Sequence, residues 1–218
     1  MTHLIQIGPF PPWIKELRAS PDYKNVFEMG IDPPTVYGTE QLFGDWKGEL
    51  LLVAQDFAPA HEVEALIAIG LSAEKVYRHN DGDGRYRTGY RTNSRLLKFL
   101  GRNRSDLLGT NASASGILYA NACFFLKHGT TSDPLKDFRL GHPAFEGSVK
   151  VLSYVIKKMT NLKAIVCLGG VPYKMMLSTG LAQSIPLYNF PHPSRGSDES
   201  HFAKWSEAKN NAGLNCLK

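Results

Sequence analysis

Three apolar runs with no charged or amide side chain punctuate this chain: Leu50-Leu51-Leu52-Val53-Ala54, Ile117-Leu118-Tyr119-Ala120 and Ala164-Ile165-Val166-Cys167-Leu168. Runs of this kind read as strands buried on both faces, as in a parallel sheet. Pro186-Leu187-Tyr188-Asn189-Phe190 predicts a fourth strand and Lys75-Val76-Tyr77 a short additional one. The segments between them change period. Val63, Leu66 and Ile67 share one face of a helix over 60–69, and Leu96, Leu97 and Leu100 share one over 94–100. Val149, Leu152, Val155, Ile156 and Met159 line a helix that starts at Pro143 or Ala144 and ends near Met159. A shorter helix lies around Tyr173 to Leu177, and a last one runs from about Glu199 to Asn211, capped by Ser197 or Asp198.

Strands alternating with helices predict an α/β protein, a three-layer α/β/α sandwich with a central, mainly parallel sheet of about four strands. The whole of 1–218 reads as one domain, with 1–48 an amino-terminal helical and loop extension packed on it. Pro11-Pro12 starts a helix there. A loop with Pro33, Pro34 and Gly38 then leads through a polar approach to the first strand.

The predicted strands end alike. Leu50–Ala54 runs into Gln55-Asp56, the second run closes on Asn121, the third on Gly169-Gly170, and the fourth is followed by His192-Pro193-Ser194. In an open parallel sheet the carboxyl ends of the strands share one edge, which is where such folds bind ligands. Each residue also has an ordinary structural reading. Asp56 suits the cap of the next helix, Asn121 the satisfaction of loop amides, and His192 a buried hydrogen-bonded position. His142-Pro143 is a second His-Pro pair placed where it would simply cap a helix. Four such ends on one edge favour a site.

Charge sharpens the picture. The formal net charge is +5, yet the stretch 78–104 alone holds eight Lys and Arg against two Asp. Tyr86, Tyr90, Gly82, Gly84 and Gly89 are interleaved with those charges, a composition suited to a polyanion with exposed bases as well as to a solvated surface. Asn80-Asp81-Gly82-Asp83-Gly84 lacks the further ligands of a calcium loop and reads as a turn. Composition is that of a soluble globular chain, 43% hydrophobic and 21% charged, and no apolar run spans a membrane. Cys123, Cys167 and Cys216 have no metal spacing and read as buried reduced thiols. With no secretion-type amino end, an intracellular, cytoplasmic location is expected, and no metal or other cofactor.

An acid, an amide, an imidazole and a glycine-lined wall beside a basic groove suit cleavage of a base–sugar bond. That reaction passes through an oxocarbenium-like sugar and requires the base to be flipped from the stack. Ala54-Gln55-Asp56, then Asn121-Ala122, then His192-Pro193-Ser194 resembles the uracil-DNA glycosylase superfamily, whose best-known branch carries G-Q-D-P-Y, an Asn ending an apolar strand, and H-P-S. The resemblance covers roughly 49–212 and includes Gly196-Ser197-Asp198-Glu199-Ser200-His201-Phe202. It implies a monofunctional, monomeric glycosylase without the four cysteines of the iron–sulfur branches.

The resemblance also implies roles. Asp56 would orient the attacking water and stabilise the sugar cation; Asn121 would read the uracil edge; His192 would hold the departing base. Gln55 would contact the base, Gly169 and Phe57 would line its pocket, and Tyr90, with Tyr86 the alternative, would stack on it. Ser194, Ser197, Arg195, Arg87 and Arg91 would face DNA, with Arg195 filling the gap left by the flipped base. Phe57 and Ala58 depart from the Pro and Tyr of the best-known branch, which leaves discrimination against thymine open. The implied activity is hydrolysis of uracil or a related deaminated base from DNA. The alternative is a catalytically silent, nucleic-acid-binding relative, and retention of both Asp56 and His192 argues against it. A different α/β hydrolase would need a Gly-x-Ser-x-Gly elbow or a phosphate loop, and neither is present.

Overall fold

The computed structural model describes residues 11–29, 43–57, 59–68, 95–101, 115–130 and 133–217. Its centre is a five-stranded sheet in the order β2 (Phe43–Gly44), β4 (Ile117–Asn121), β3 (Leu50–Ala54), β6 (Ala164–Leu168), β7 (Leu187–Phe190). The four strands from β4 to β7 are parallel, and β2 adds an antiparallel edge with Phe43 opposite Tyr119. That edge strand falls in the stretch expected to be a polar approach. Two residues are too few to show an alternating pattern, and its place is set by Asp45, whose carboxylate accepts the Gly116 and Lys47 amides.

Why the central runs are so evenly apolar follows from what covers them. Leu51, Val53, Leu118, Ala120, Ile165 and Cys167 point to one face. There they meet α3 (Pro143–Lys158) through Ala144, Val151, Leu152 and Val155, and α4 (Gly170–Thr179) through Met175 and Met176. Leu50, Leu52, Ile117, Ala164 and Val166 point to the other. There they meet Leu96, Leu97 and Leu100 of a helical segment over 95–100, and Trp205 and Ala208 of α5 (Asp198–Ala212). Helices thus lie on both faces of a parallel sheet, a three-layer arrangement in which each strand is apolar on both sides.

The ends of the helices match their sequences. His142 caps α3 by accepting the Ala144 amide on Nδ1, as a His-Pro pair before a helix suggested. Ser197 caps α5 by accepting the Ser200 amide, and Gly180 and Gly213 close α4 and α5 in the left-handed conformation. The three cysteines are buried and form no disulfide. Among the described residues no helix is long and apolar enough to cross a membrane.

The amino-terminal segment does more than pack. Ile14 of α1 (Pro12–Lys15) enters the core. β1 (Tyr23–Lys24) then pairs antiparallel with β5 (Leu126–Lys127), Tyr23 lying opposite Lys127. This two-stranded ribbon starts five residues beyond Asn121, so it sits beside the carboxyl edge of the sheet. Below it, Leu126 packs against Ala60 and Val63 of α2 (Ala60–Ala68), together with Val26 and Phe57.

Candidate active site

The parallel register places the strand ends in a row. Ala54 is level with Asn121, Val53 with Cys167, and Leu168 with Phe190. Beyond the last pairs the chains stay tied: the Ala122 amide donates to the Ala54 carbonyl at 2.8 Å, Cys123 to Gln55 at 2.9 Å, and Gly169 to Phe190 at 2.8 Å. Gln55, Asp56, Asn121, Gly169 and His192 therefore share the carboxyl edge.

Asp56 is the most constrained of them. Its Oδ2 is sealed from solvent and lies 2.9 Å from Nζ of Lys127, a buried ion pair. The side chain is 16% exposed overall, so its solvent-facing part is not the oxygen that meets Lys127. Gln55 Nε2 reaches Oδ1 at a long 3.5 Å. Burial pushes the carboxyl above its ordinary range, while Lys127, Gln55 and His192 pull it back. Asp56 lies outside α2, which begins at Ala60, so its side chain is spent on the edge and on Lys127 rather than on a helix cap.

His192 has a defined tautomer. Nδ1 accepts the Ser194 amide at 3.3 Å and lies 2.7 Å from the Ser194 hydroxyl. A nitrogen that accepts a backbone N–H carries a lone pair, so the neutral ring holds its proton on Nε2. Burial, Arg195 and His201 lower the affinity of the ring for a second proton, and Asp56 opposes them. His192 is thus a neutral donor at physiological pH, coupled electrostatically to Asp56 from the far side of the edge.

The loop carrying His192 is held by residues to which the sequence alone assigned no role or another one. His201, fully buried on α5, donates from Nε2 to the Arg195 carbonyl at 2.7 Å and stacks on Phe99, centroids 4.3 Å apart. Arg95 bonds the Gly196 carbonyl at 3.0 Å and Asp198 at 2.7 Å, and Lys98 meets the same carboxylate at 2.6 Å. Two cations of the basic stretch are therefore anchored on Asp198. Ser194 and Ser197, expected to face DNA, are engaged locally on His192 and on the Ser200 amide, and the exposed Arg195 donates its backbone amide to the His192 carbonyl.

Asn121 closes β4 level with Ala54 and makes no side-chain hydrogen bond among the described residues. Gly169 caps α4 at φ +113°, a conformation open to glycine alone, and a Cβ built there would meet nothing within 4 Å. Phe57 is half-buried against Val26, Ala60, Val63 and Leu126, so packing claims part of its ring. Tyr86, Tyr90, Arg87, Arg91 and Ala58 lie outside the described residues.

Lys127 was missed from sequence. The signal was present: a lysine directly after the apolar run Ala122-Cys123-Phe124-Phe125-Leu126 requires a partner if the strand is buried, and it is only 3% exposed.

Together these observations define an α/β protein with a charged, hydrogen-bonding site at the carboxyl edge of a parallel sheet. No family model matches the chain, and a search of curated proteins finds no match.

Proposed function

We propose that the protein is a DNA glycosylase that hydrolyses the N-glycosidic bond of uracil, or a related deaminated base, in the manner of the uracil-DNA glycosylase superfamily. The observation that carries this reading is the pairing, on one sheet edge, of a buried carboxylate with a neutral imidazole whose Nε2 bears the proton. Base excision needs both: an anion beside the sugar as it becomes cationic, and a donor beside the base as it becomes anionic.

In this reading the C1′–N1 bond breaks with its electron pair leaving on the base. His192 donates Nε2–H to the base oxygen that gains charge, and Asn121 offers donor and acceptor side by side to the base edge. Asp56 stabilises the sugar cation and orients the water whose oxygen forms the new bond at C1′. The water's second proton passes to solvent or to the departing base. Gly169, lacking a Cβ, leaves room for the base to lie against the backbone. No cofactor is required, and the partner is uracil-containing or deaminated DNA.

A uracil-containing oligonucleotide treated with the protein and then with alkali tests the proposal. Strand cleavage by the wild type, lost by about 10²–10⁴-fold in Asp56→Asn, is the expected outcome. Retained DNA binding with no cleavage on uracil, hypoxanthine or xanthine would instead support a silent nucleic-acid-binding relative.

A further inference from the structure

We propose that Lys127 is a positioning residue for Asp56: its buried ammonium, held by the β1–β5 ribbon, fixes that carboxylate as an oriented anion at the sheet edge. The inference rests on the glycosylase reading for its kinetic consequence, but the contact itself is independent of that reading.

A lysine this deeply buried must be paired, because an isolated buried ammonium is prohibitively unfavourable. Its Nζ has two identified partners, Asp56 Oδ2 at 2.9 Å and the Asp133 carbonyl. The carbonyl is set by a tight turn: Asp133 Oδ2 accepts the Thr130 amide at 2.7 Å, and a Cβ on Gly129, at φ +95°, would strike that same oxygen at 2.6 Å. From the other side Tyr23, paired with Lys127 across the ribbon, is buried and donates its hydroxyl to the Lys136 carbonyl at 2.6 Å. The turn and the strand beside Lys127 are thus each fixed by a contact of their own. Among the described residues, the groups that face Asp56 are Lys127 from β5, His192 from the loop after β7, Tyr23 from β1, Cys123 from the turn after β4, and its neighbour Gln55. Of these, Lys127 touches it with a full positive charge.

A purely architectural ion pair makes a different prediction. Replacing one by an apolar side chain changes stability, and nothing about the chemistry follows. A positioning lysine acts through the carboxylate. Without it, Asp56 is a buried, unpaired acid that holds its proton to higher pH, and its geometry relaxes.

The test is single-turnover excision of uracil from an oligonucleotide across pH 5–9 by wild type, Lys127→Met, Lys127→Arg and Asp56→Asn/Lys127→Met, with thermal unfolding of each. Lys127→Met is expected to lower the rate at neutral pH by about 10- to 100-fold, the scale of a misplaced reacting group. The acid limb of its profile moves to higher pH. Lys127→Arg restores most of the rate, and in the Asp56→Asn background Lys127→Met costs nothing further. An unchanged profile in Lys127→Met, or a cost that is additive with Asp56→Asn, overturns the proposal. Should Lys127→Met not fold, Lys127→Gln carries the same comparison. If the wild type excises no uracil, the glycosylase reading falls while the positioning claim is still decided by ¹³C NMR titration of the Asp56 carboxyl. A midpoint raised in Lys127→Met supports it; an unmoved midpoint refutes it.

Discussion

His192 carries its chemistry in a single proton. The Ser194 amide occupies Nδ1, so the proton sits on Nε2, and burial with Arg195 and His201 nearby resists a second one. The sign of the pH dependence follows. Because the affinity of His192 for a second proton is lowered, the ring stays neutral down to and below the ordinary histidine range. Asp56, whose carboxyl is raised by burial, is the other group that acid must not protonate. Excision should be level at neutral pH and through the ordinary histidine value of about 6.5, and fall only at lower pH, where His192 gains its second proton or Asp56 its first. A rate that instead rises on acidification would mean that imidazolium is the working form. Removing the donor, in His192→Ala, should cost about 10²–10³-fold in single-turnover rate, the range for one hydrogen bond to a developing anion.

Among the elements, the junction of β6 and α4 concentrates the most constraint in the fewest residues. Gly169 ends the strand, donates its amide to Phe190, and turns at φ +113°, ψ 173° into the helix. That region of backbone space is essentially restricted to glycine and costs a side chain on the order of 1–3 kcal/mol. Gly169→Ala should therefore lower stability by that amount in denaturant titration. It should also weaken uracil binding more than an equally destabilising core substitution, because the new methyl projects into the open edge. Equal effects on the two would place the ligand elsewhere.

The elements were legible in the sequence where pattern and length agreed. β3, β4, β6 and α3 are long, evenly apolar or strongly periodic, and each lies within a residue or two of its expected place. What escaped was short and cross-linked by tertiary contacts. β2, β1 and β5 are two residues each and take their pairing from Asp45 and from Tyr23 opposite Lys127. The site shows the same division. Asp56, Asn121 and His192 could be read because each ends a strand. Lys127 showed in the sequence only that it needs a partner, not that Asp56 is that partner, and His201 takes its place from Phe99, far away along the chain.

At the scale of the whole molecule, the edge opposite the site is locked by one carboxylate. Glu49 meets Lys163 at 2.7 Å and accepts the Cys216 amide at 2.6 Å, joining β3, the approach to β6 and the carboxyl-terminal tail. Burial alone would raise its carboxyl, but Lys163 and the Cys216 and Asn215 amides outweigh it and hold it below the ordinary range. A carboxyl lowered in the folded state stabilises above its ordinary pKa, and that contribution disappears as pH falls through the lowered value. Glu49→Gln should cost about 1–2 kcal/mol at neutral pH, the lower part of the range for hydrogen bonds to a charged group, because Lys163 is 43% exposed and screened by solvent. The gap to wild type should close in acid melts below about pH 4, near the ordinary glutamate value. A gap that persists there would assign the effect to packing. Since Glu49 lies at the start of the strand that ends in Gln55-Asp56, the variant should lose stability without losing the pH profile of excision.

The molecule as a whole is organised so that the ends of two strands and the loop after a third deliver an acid, an amide and an imidazole to the same edge. A crystal soaked with free uracil tests that most directly. The base should lie over Gly169, with its edge on the Asn121 amide and one ring oxygen within hydrogen-bond distance of His192 Nε2. Uracil bound away from these three groups, or none bound at all at saturating concentration, would contradict the account.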